Sequence, residues 1–373
     1  PVTITFSEPV TGFTVEDVIV TNGIKGTLSG SGSVYMINIT PSAQGTVTVG
    51  ISADAAYDLA NNGNTEALAL TRIYDSISPT VAIHSATNST TNLSVIPVTI
   101  TFSEPVTGFT VEDVTVMNGI KGTLNGSGSV YTINITPLTQ GTVNINIASG
   151  VVTDAAGNNN TAASELIRIY DSIKPTVAIH SATNSITNLS VIPVTITFSE
   201  PVTGFTVEDV IVTNGIKGTL SGSGSVYMIN ITPSAQGTVT VGISADAAYD
   251  LANNGNTEAL ALTRIYDSIN PTVAISSVTG NSTNVTPIPV TITFSEDVTG
   301  FTVNEITVIN GVAGGFVSVS GSVYTAFITP AGNGEVIIDV LADTALDAAL
   351  NPNNAAPSLT RVFDSERPTV IIS

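Results

Sequence analysis

Five oxygen-bearing residues, Asp75, Glu104, Asp154, Asn158 and Asn160, return as Asp171, Glu200, Asp250, Asn254 and Asn256. They return again, with one inserted residue, as Asp267, Glu296, Asp347, Asn351 and Asn353. Carboxylate and amide oxygens are hard donors, and calcium takes about six to eight of them, partly from backbone and water. If each set of five converges, it makes a cation cage. The same residues also suit turn chemistry, because an Asp that opens a Gly/Asn-rich loop such as DAAGNNN can hydrogen-bond its own backbone. No loop of the DxDxDG kind is present, so both readings stay open at the level of sequence.

Convergence depends on the elements that carry these residues. The octapeptide PVTITFSE begins at Pro1, Pro97, Pro193 and Pro289, a period of 96 residues, and residues 1–77 are identical to 193–269. A period of that length is one small domain rather than a solenoid turn. Within 79–174, PTVAI (79–83) reads as a first strand and 85–94 as a polar loop. PVTITF (97–102) alternates strictly, with Val98, Ile100 and Phe102 on one face. Further strands are expected at 109–116, around 122–124, and at 129–136, 141–148 and 165–171. Seven short strands without helical periodicity predict an all-β immunoglobulin-type β-sandwich, and four of them in tandem. In that topology the linker before the first strand, the end of the second strand and the last loop meet at one end. Asp75, Glu104 and Asp154 occupy those three places.

Composition narrows the function. A net charge of −20 argues against nucleic acid and anionic membrane surfaces as partners and suits a divalent cation. Cysteine is absent, which excludes disulfide staples and thiolate zinc. No apolar run is long enough to span a membrane. His84 and His180 match in position, but the next copy has Ser276 there, and no Ser/His/Asp arrangement recurs; the chain is not expected to be an enzyme. Tyr57 and Tyr249 could offer a sugar platform, yet the second copy has Thr153 at that place.

The motif FSEPVTGFTVEDV, the NG turn, SGSGSVY, the ITP segment, TDAAGN and the YDS-x-x-PT linker resemble the bacterial immunoglobulin-like repeats of very large surface adhesins and extracellular filament proteins. The resemblance covers all four copies and implies an extracellular, cell-surface stalk or filament of non-catalytic modules. The alternative is that each repeat is itself a glycan- or protein-binding module. The repeats are expected at 1–78, 79–174, 175–270 and 271–367, arranged as an extended rod whose joints calcium would stiffen. The first lacks its opening strand, and PTVIIS (368–373) reads as the opening strand of a following repeat. Either the segment is out of phase within a longer array, or copies join head to tail by strand addition. Neighbouring repeats of the same chain are the other expected partners.

Overall fold

The computed structural model describes residues 1–372. Its chain divides into two compact units, Pro1–Ser172 and the remainder from Ile173 onward, with two repeats in each. The second repeat gives the clearest view of one module. Its strands are β1 (Val81–His84), β2 (Thr90–Thr91), β3 (Ile96–Phe102), β4 (Val114–Met117), β5 (Gly119–Lys121), β6 (Asn125–Ser127), β7 (Val130–Pro137), β8 (Gly141–Ile147) and β9 (Leu166–Tyr170). One sheet has the order β5-β7-β3-β1, with β6 also on β7; the other has the order β4-β8-β9-β2. Every pairing is antiparallel except β9 with β2. The result is the immunoglobulin-type sandwich that the strand pattern predicts, and the other unit repeats it twice.

The core follows from alternation. Val98, Ile100 and Phe102 on β3 are buried, as are Tyr131, Ile133 and Ile135 on β7 and Val143, Ile145 and Ile147 on β8. Register puts Ile100 opposite both Tyr131 and Ile83, so the apolar residues of three strands share one inner face. Phe102, Phe109 and Tyr131 close one end of the core edge to face, with ring centroids 5.2 Å apart for Phe102–Phe109 and 4.9 Å for Phe109–Tyr131. Among the described residues no counterpart of β1 lies beside Val2–Val10 of the first repeat, and the matching side chains Val2, Ile4 and Phe6 are only half-buried. Residues 368–372 form no strand, and Ser373 of PTVIIS lies outside the described residues.

Three elements differ from the sequence expectation. Segment 109–116 is not one strand: Val111–Asp113 is a 3-10 turn and the strand begins at Val114. The Asp113 carboxylate accepts from Thr110 N–H at 2.7 Å and from its hydroxyl at 2.9 Å, a reciprocal cap that closes the turn. The short strand expected around 122–124 lies earlier, at Gly119–Lys121, entered through Asn118 at φ 56°. Asn118 holds that left-handed backbone by donating to Thr139 O at 2.9 Å and Thr142 O at 3.1 Å. Finally, the polar loop 85–94 contains β2, so the opening strand switches sheets: β1 pairs with β3, and β2 pairs with β9.

Ile145 is fully buried in the middle of β8. Replacing it with Ala should cost about 2–5 kcal/mol. Calorimetry on the full chain should show one component moving down by more than about 10 °C, with the others unmoved.

Candidate metal centre

In the first unit, Asp75 follows the last strand of the first repeat, Leu70–Tyr74, while Glu104 follows β3 and Asp154 sits in the loop between β8 and β9. One carboxylate oxygen from each lies within 4.8 Å of the others. In the second unit, Asp267 follows Leu262–Tyr266, Glu296 follows Ile288–Phe294, and Asp347 occupies the equivalent loop; these three also lie within 4.8 Å of one another. In both sets the loop Asp is buried and the other two are half-exposed. Asp171 lies at the end of the first unit, where its N–H donates to Thr91 O at 3.0 Å. Glu200 and Asp250 belong to the second unit; Glu200 lies on the strand Ile192–Val202, and Asp250 is buried in its loop.

The loop builds Asp154 into a fixed position. Its Oδ1 accepts from the backbone N–H of Ala156 at 2.8 Å and of Asn158 at 2.9 Å, and its Oδ2 accepts from Asn158 Nδ2 at 2.8 Å. That is the Asx-turn chemistry expected of such a loop. Gly157, at φ 91°, makes the turn possible. Each carboxylate oxygen has two lone pairs; Oδ1 uses both on the turn, whereas Oδ2 accepts one bond and keeps capacity for a cation. Turn and cage are compatible.

The two amides of each set have separate roles. Asn158 donates to Asp154 and also to the backbone carbonyl of Asp75 at 3.2 Å, tying the loop of the second repeat to the linker from the first. Asn351 does the same with Asp347 at 2.9 Å and the Asp267 carbonyl at 3.0 Å. Asn254 bonds the Asp250 carboxylate at 2.8 Å in the same way. Asn160 is buried inside its own loop, where its Oδ1 accepts from Val151 and Val152 N–H and its Nδ2 donates to Ala148 and Thr161 carbonyls. Asn256 and Asn353 are committed to backbone groups likewise. These three shape the loop, and the groups brought together are the carboxylates.

Electrostatics reflects the crowding. Burial, then the charges of Asp75 and Asp154, push the Glu104 carboxyl above its ordinary range. Burial, then Asp347 and Asp267, raise Glu296 in the same way. Burial also acts to raise Asp154, but the Asn158 side chain and the N–H groups of Asn158, Ala156 and Gly157 together hold it below its ordinary value. Two oxygens on opposite sides of one calcium ion are at most about 5 Å apart, given bonds of about 2.3–2.6 Å. The 4.8 Å limit on each triad therefore matches three ligands on a single ion. A hard divalent cation fits this donor set, with further oxygens from backbone or water.

The acidic pattern is accompanied by a recurrent arginine. Arg72, Arg168, Arg264 and Arg361 recur in the last strand of each repeat, and the chain has only 9 Lys and Arg in all. A lone cation repeated on a strand was the available signal. Tyr57 and Tyr249 are only 38% and 39% exposed, and their backbones pair with Thr11 and Thr203. Among the described residues no helix is long and apolar enough to cross a membrane.

The two-sheet sandwich, its recurrence and the shared loop define a tandem immunoglobulin-like array. The chain belongs to the bacterial Ig-like domain family, whose model matches residues 1–72, 75–169, 171–264 and 267–362. No curated protein matches it significantly. Among solved structures it is similar to invasin, a bacterial integrin-binding protein, at 10% identity and a TM-score of 0.39, covering 97% of this chain and 73% of that one. It is also similar to the D0–D1 domains of intimin, at 14% identity and a TM-score of 0.17, covering 49% and 96%.

The raised carboxyls give a signed expectation for the cation-free chain. A carboxyl whose folded pKa is raised stabilises most below the ordinary range, and that contribution is lost as pH rises through the folded value. Asp154, held low, acts the opposite way. Glu104→Gln with Glu296→Gln should therefore melt higher than the parent near neutral pH in chelator, with the difference shrinking toward pH 4. A variant that melts lower at neutral pH would contradict the repulsion.

Proposed function

We propose that the chain is a non-catalytic, extracellular stalk segment of a repetitive cell-surface adhesin or filament, and that calcium bound between successive repeats stiffens it. The observation that carries this reading is the origin of the triads Asp75–Glu104–Asp154 and Asp267–Glu296–Asp347: in both, one carboxylate comes from the linker leaving a repeat and two come from the repeat that follows. Without a cation, such a junction is pushed apart by its own charge. With one, it gains a bond at each side. Near-identical copies, a cysteine-free sequence and low charge density suit an element whose length is set by repeat number.

Two experiments test the two halves of this proposal. Calcium that binds only the folded state at a hundredfold excess over Kd adds about 2.7 kcal/mol. For modules of this size that raises Tm by roughly 10–20 °C. Asp75→Ala with Asp154→Ala should remove the gain at one junction and leave the other components responsive; unchanged melting in chelator and in calcium would rule out the cation. A glycan array and a surface-protein pull-down with the full chain address the stalk itself. Binding to neither is the expected result, and a saturable glycan or protein ligand would show that the repeats are binding modules instead.

A further inference from the structure

Each closing strand carries one arginine whose contacts the cation reading does not use. In the second repeat, Arg168 on β9 donates from Nε to Thr87 Oγ1 at 3.1 Å and from Nη2 to Ser85 O at 2.8 Å. Ser85 is the point where the opening strand leaves one sheet for the other, and its own hydroxyl is buried on Pro97 O at 2.7 Å. Arg264 makes the matching bonds to Thr183 Oγ1 at 3.1 Å and Ser181 O at 2.8 Å. Arg361, only 8% exposed, reaches Thr279 Oγ1 at 3.2 Å and Ser277 O at 3.4 Å. Among the described residues none of these guanidinium groups forms a salt bridge with a carboxylate; Nη1 donates to the preceding carbonyl of the closing strand, and the other nitrogens are directed to carbonyls and hydroxyls of the opening segment.

The backbone beside the arginine has matching geometry. β2 and β9 run parallel, with Thr90 opposite Ile169 and Thr91 opposite Tyr170. Ile169 N–H donates to Ser89 O at 2.7 Å, and Asp171 N–H to Thr91 O at 3.0 Å. Parallel first and last strands mean that the chain enters a repeat at one end and leaves at the other. A pull on both ends then slides the two strands past each other. Their hydrogen bonds are loaded together, whereas in a peeled antiparallel pair they would break one at a time.

We propose that the closing-strand arginine of the second, third and fourth repeats, Arg168, Arg264 and Arg361, is the centre of a force clamp, which fastens the opening segment to the closing strand and sets the rate at which a repeat unfolds under tension. Tension reaching Thr80–Ile83 passes to Ser85 and Thr87, which the guanidinium holds to β9, before it can reach the core. In the second unit the clamp leads directly to the cation triad: Asp267 N–H is bonded to Thr187 O of its own repeat at 3.0 Å, while its carboxylate joins Glu296 and Asp347 of the next. The load path thus runs through one residue. The use of such a clamp in a cell rests on the stalk reading, but the clamp itself does not.

The test is constant-force unfolding of the full chain held by its two ends, where lifetime reports the unfolding rate. Arg168→Met with Arg264→Met removes the guanidinium contacts from the second and third repeats. Lys121→Met with Lys217→Met is the comparison in the same repeats, removing the Lys121 and Lys217 bonds to Val111 O and Val207 O and their ion pairs with Glu112 and Glu208, on strands at the sheet edge opposite the opening strand. At least a tenfold shortening of two of the unfolding lifetimes is expected for the arginine pair, since hydrogen bonds of charged groups are each worth about that factor or more. The lysine pair should change lifetimes by less than about twofold. Arg168→Lys with Arg264→Lys, which keeps charge and stem but loses the planar fork, should shorten them in the same direction and covers the case in which the Met variant does not fold. Equal effects of the arginine and lysine pairs, or unchanged lifetimes in the arginine variants, would overturn the proposal. A glycan ligand found for the chain would end the stalk reading and leave this result as it stands.

Discussion

Three carboxylates held within 4.8 Å of one another repel, and the loop around Asp154 commits many hydrogen bonds to keeping them there. Burial alone would favour a neutral Asp154; the amide groups of the turn keep it ionised. The unfavourable charge is left to Glu104, whose carboxyl is pushed upward. A fold that fixes anionic oxygens in this way, and bonds the linker carbonyl of Asp75 to the same loop through Asn158, presents a donor set that could hold a divalent cation. The sandwich serves that arrangement by bringing the end of β3, the loop before β9 and the incoming linker to one end of the module.

Much of this was legible in the sequence, for reasons specific to each segment. PVTITF could be assigned to a half-buried strand because its alternation is strict, and Val98, Ile100 and Phe102 are indeed the buried side chains. The triads were legible because the period repeats them and a seven-strand topology brings their three positions together. The segment 109–116 was misread because the apolar run hides a Thr-x-x-Asp cap, which stops the strand until Val114. The strand Thr90–Thr91 left no trace, since two residues carry no periodicity. Asn160, Asn256 and Asn353 show a different limit. Sequence gives the donor type, but only the fold shows that backbone groups already occupy both ends of the amide.

The absence of cysteine takes on meaning in this setting. Where small domains often rely on disulfides, the repeats here have a core of branched aliphatics and a Phe/Phe/Tyr cluster, and in the second, third and fourth an arginine bonds the first segment to the last strand. Junction and clamp meet at the residue after the closing strand. In the second unit, Asp267 uses its N–H for its own repeat and its carboxylate for the next.

The central claim is that the linker carboxylate completes a calcium site with the following repeat. Isothermal titration of the full chain with calcium, compared with Asp75→Asn plus Asp267→Asn, addresses it most directly. The parent should bind at least two ions, and the variant should lose two of them while keeping its fold, because the amide removes one charge from each triad without changing its shape. Identical titrations of parent and variant, or no calcium-dependent heat in the parent, would contradict the account.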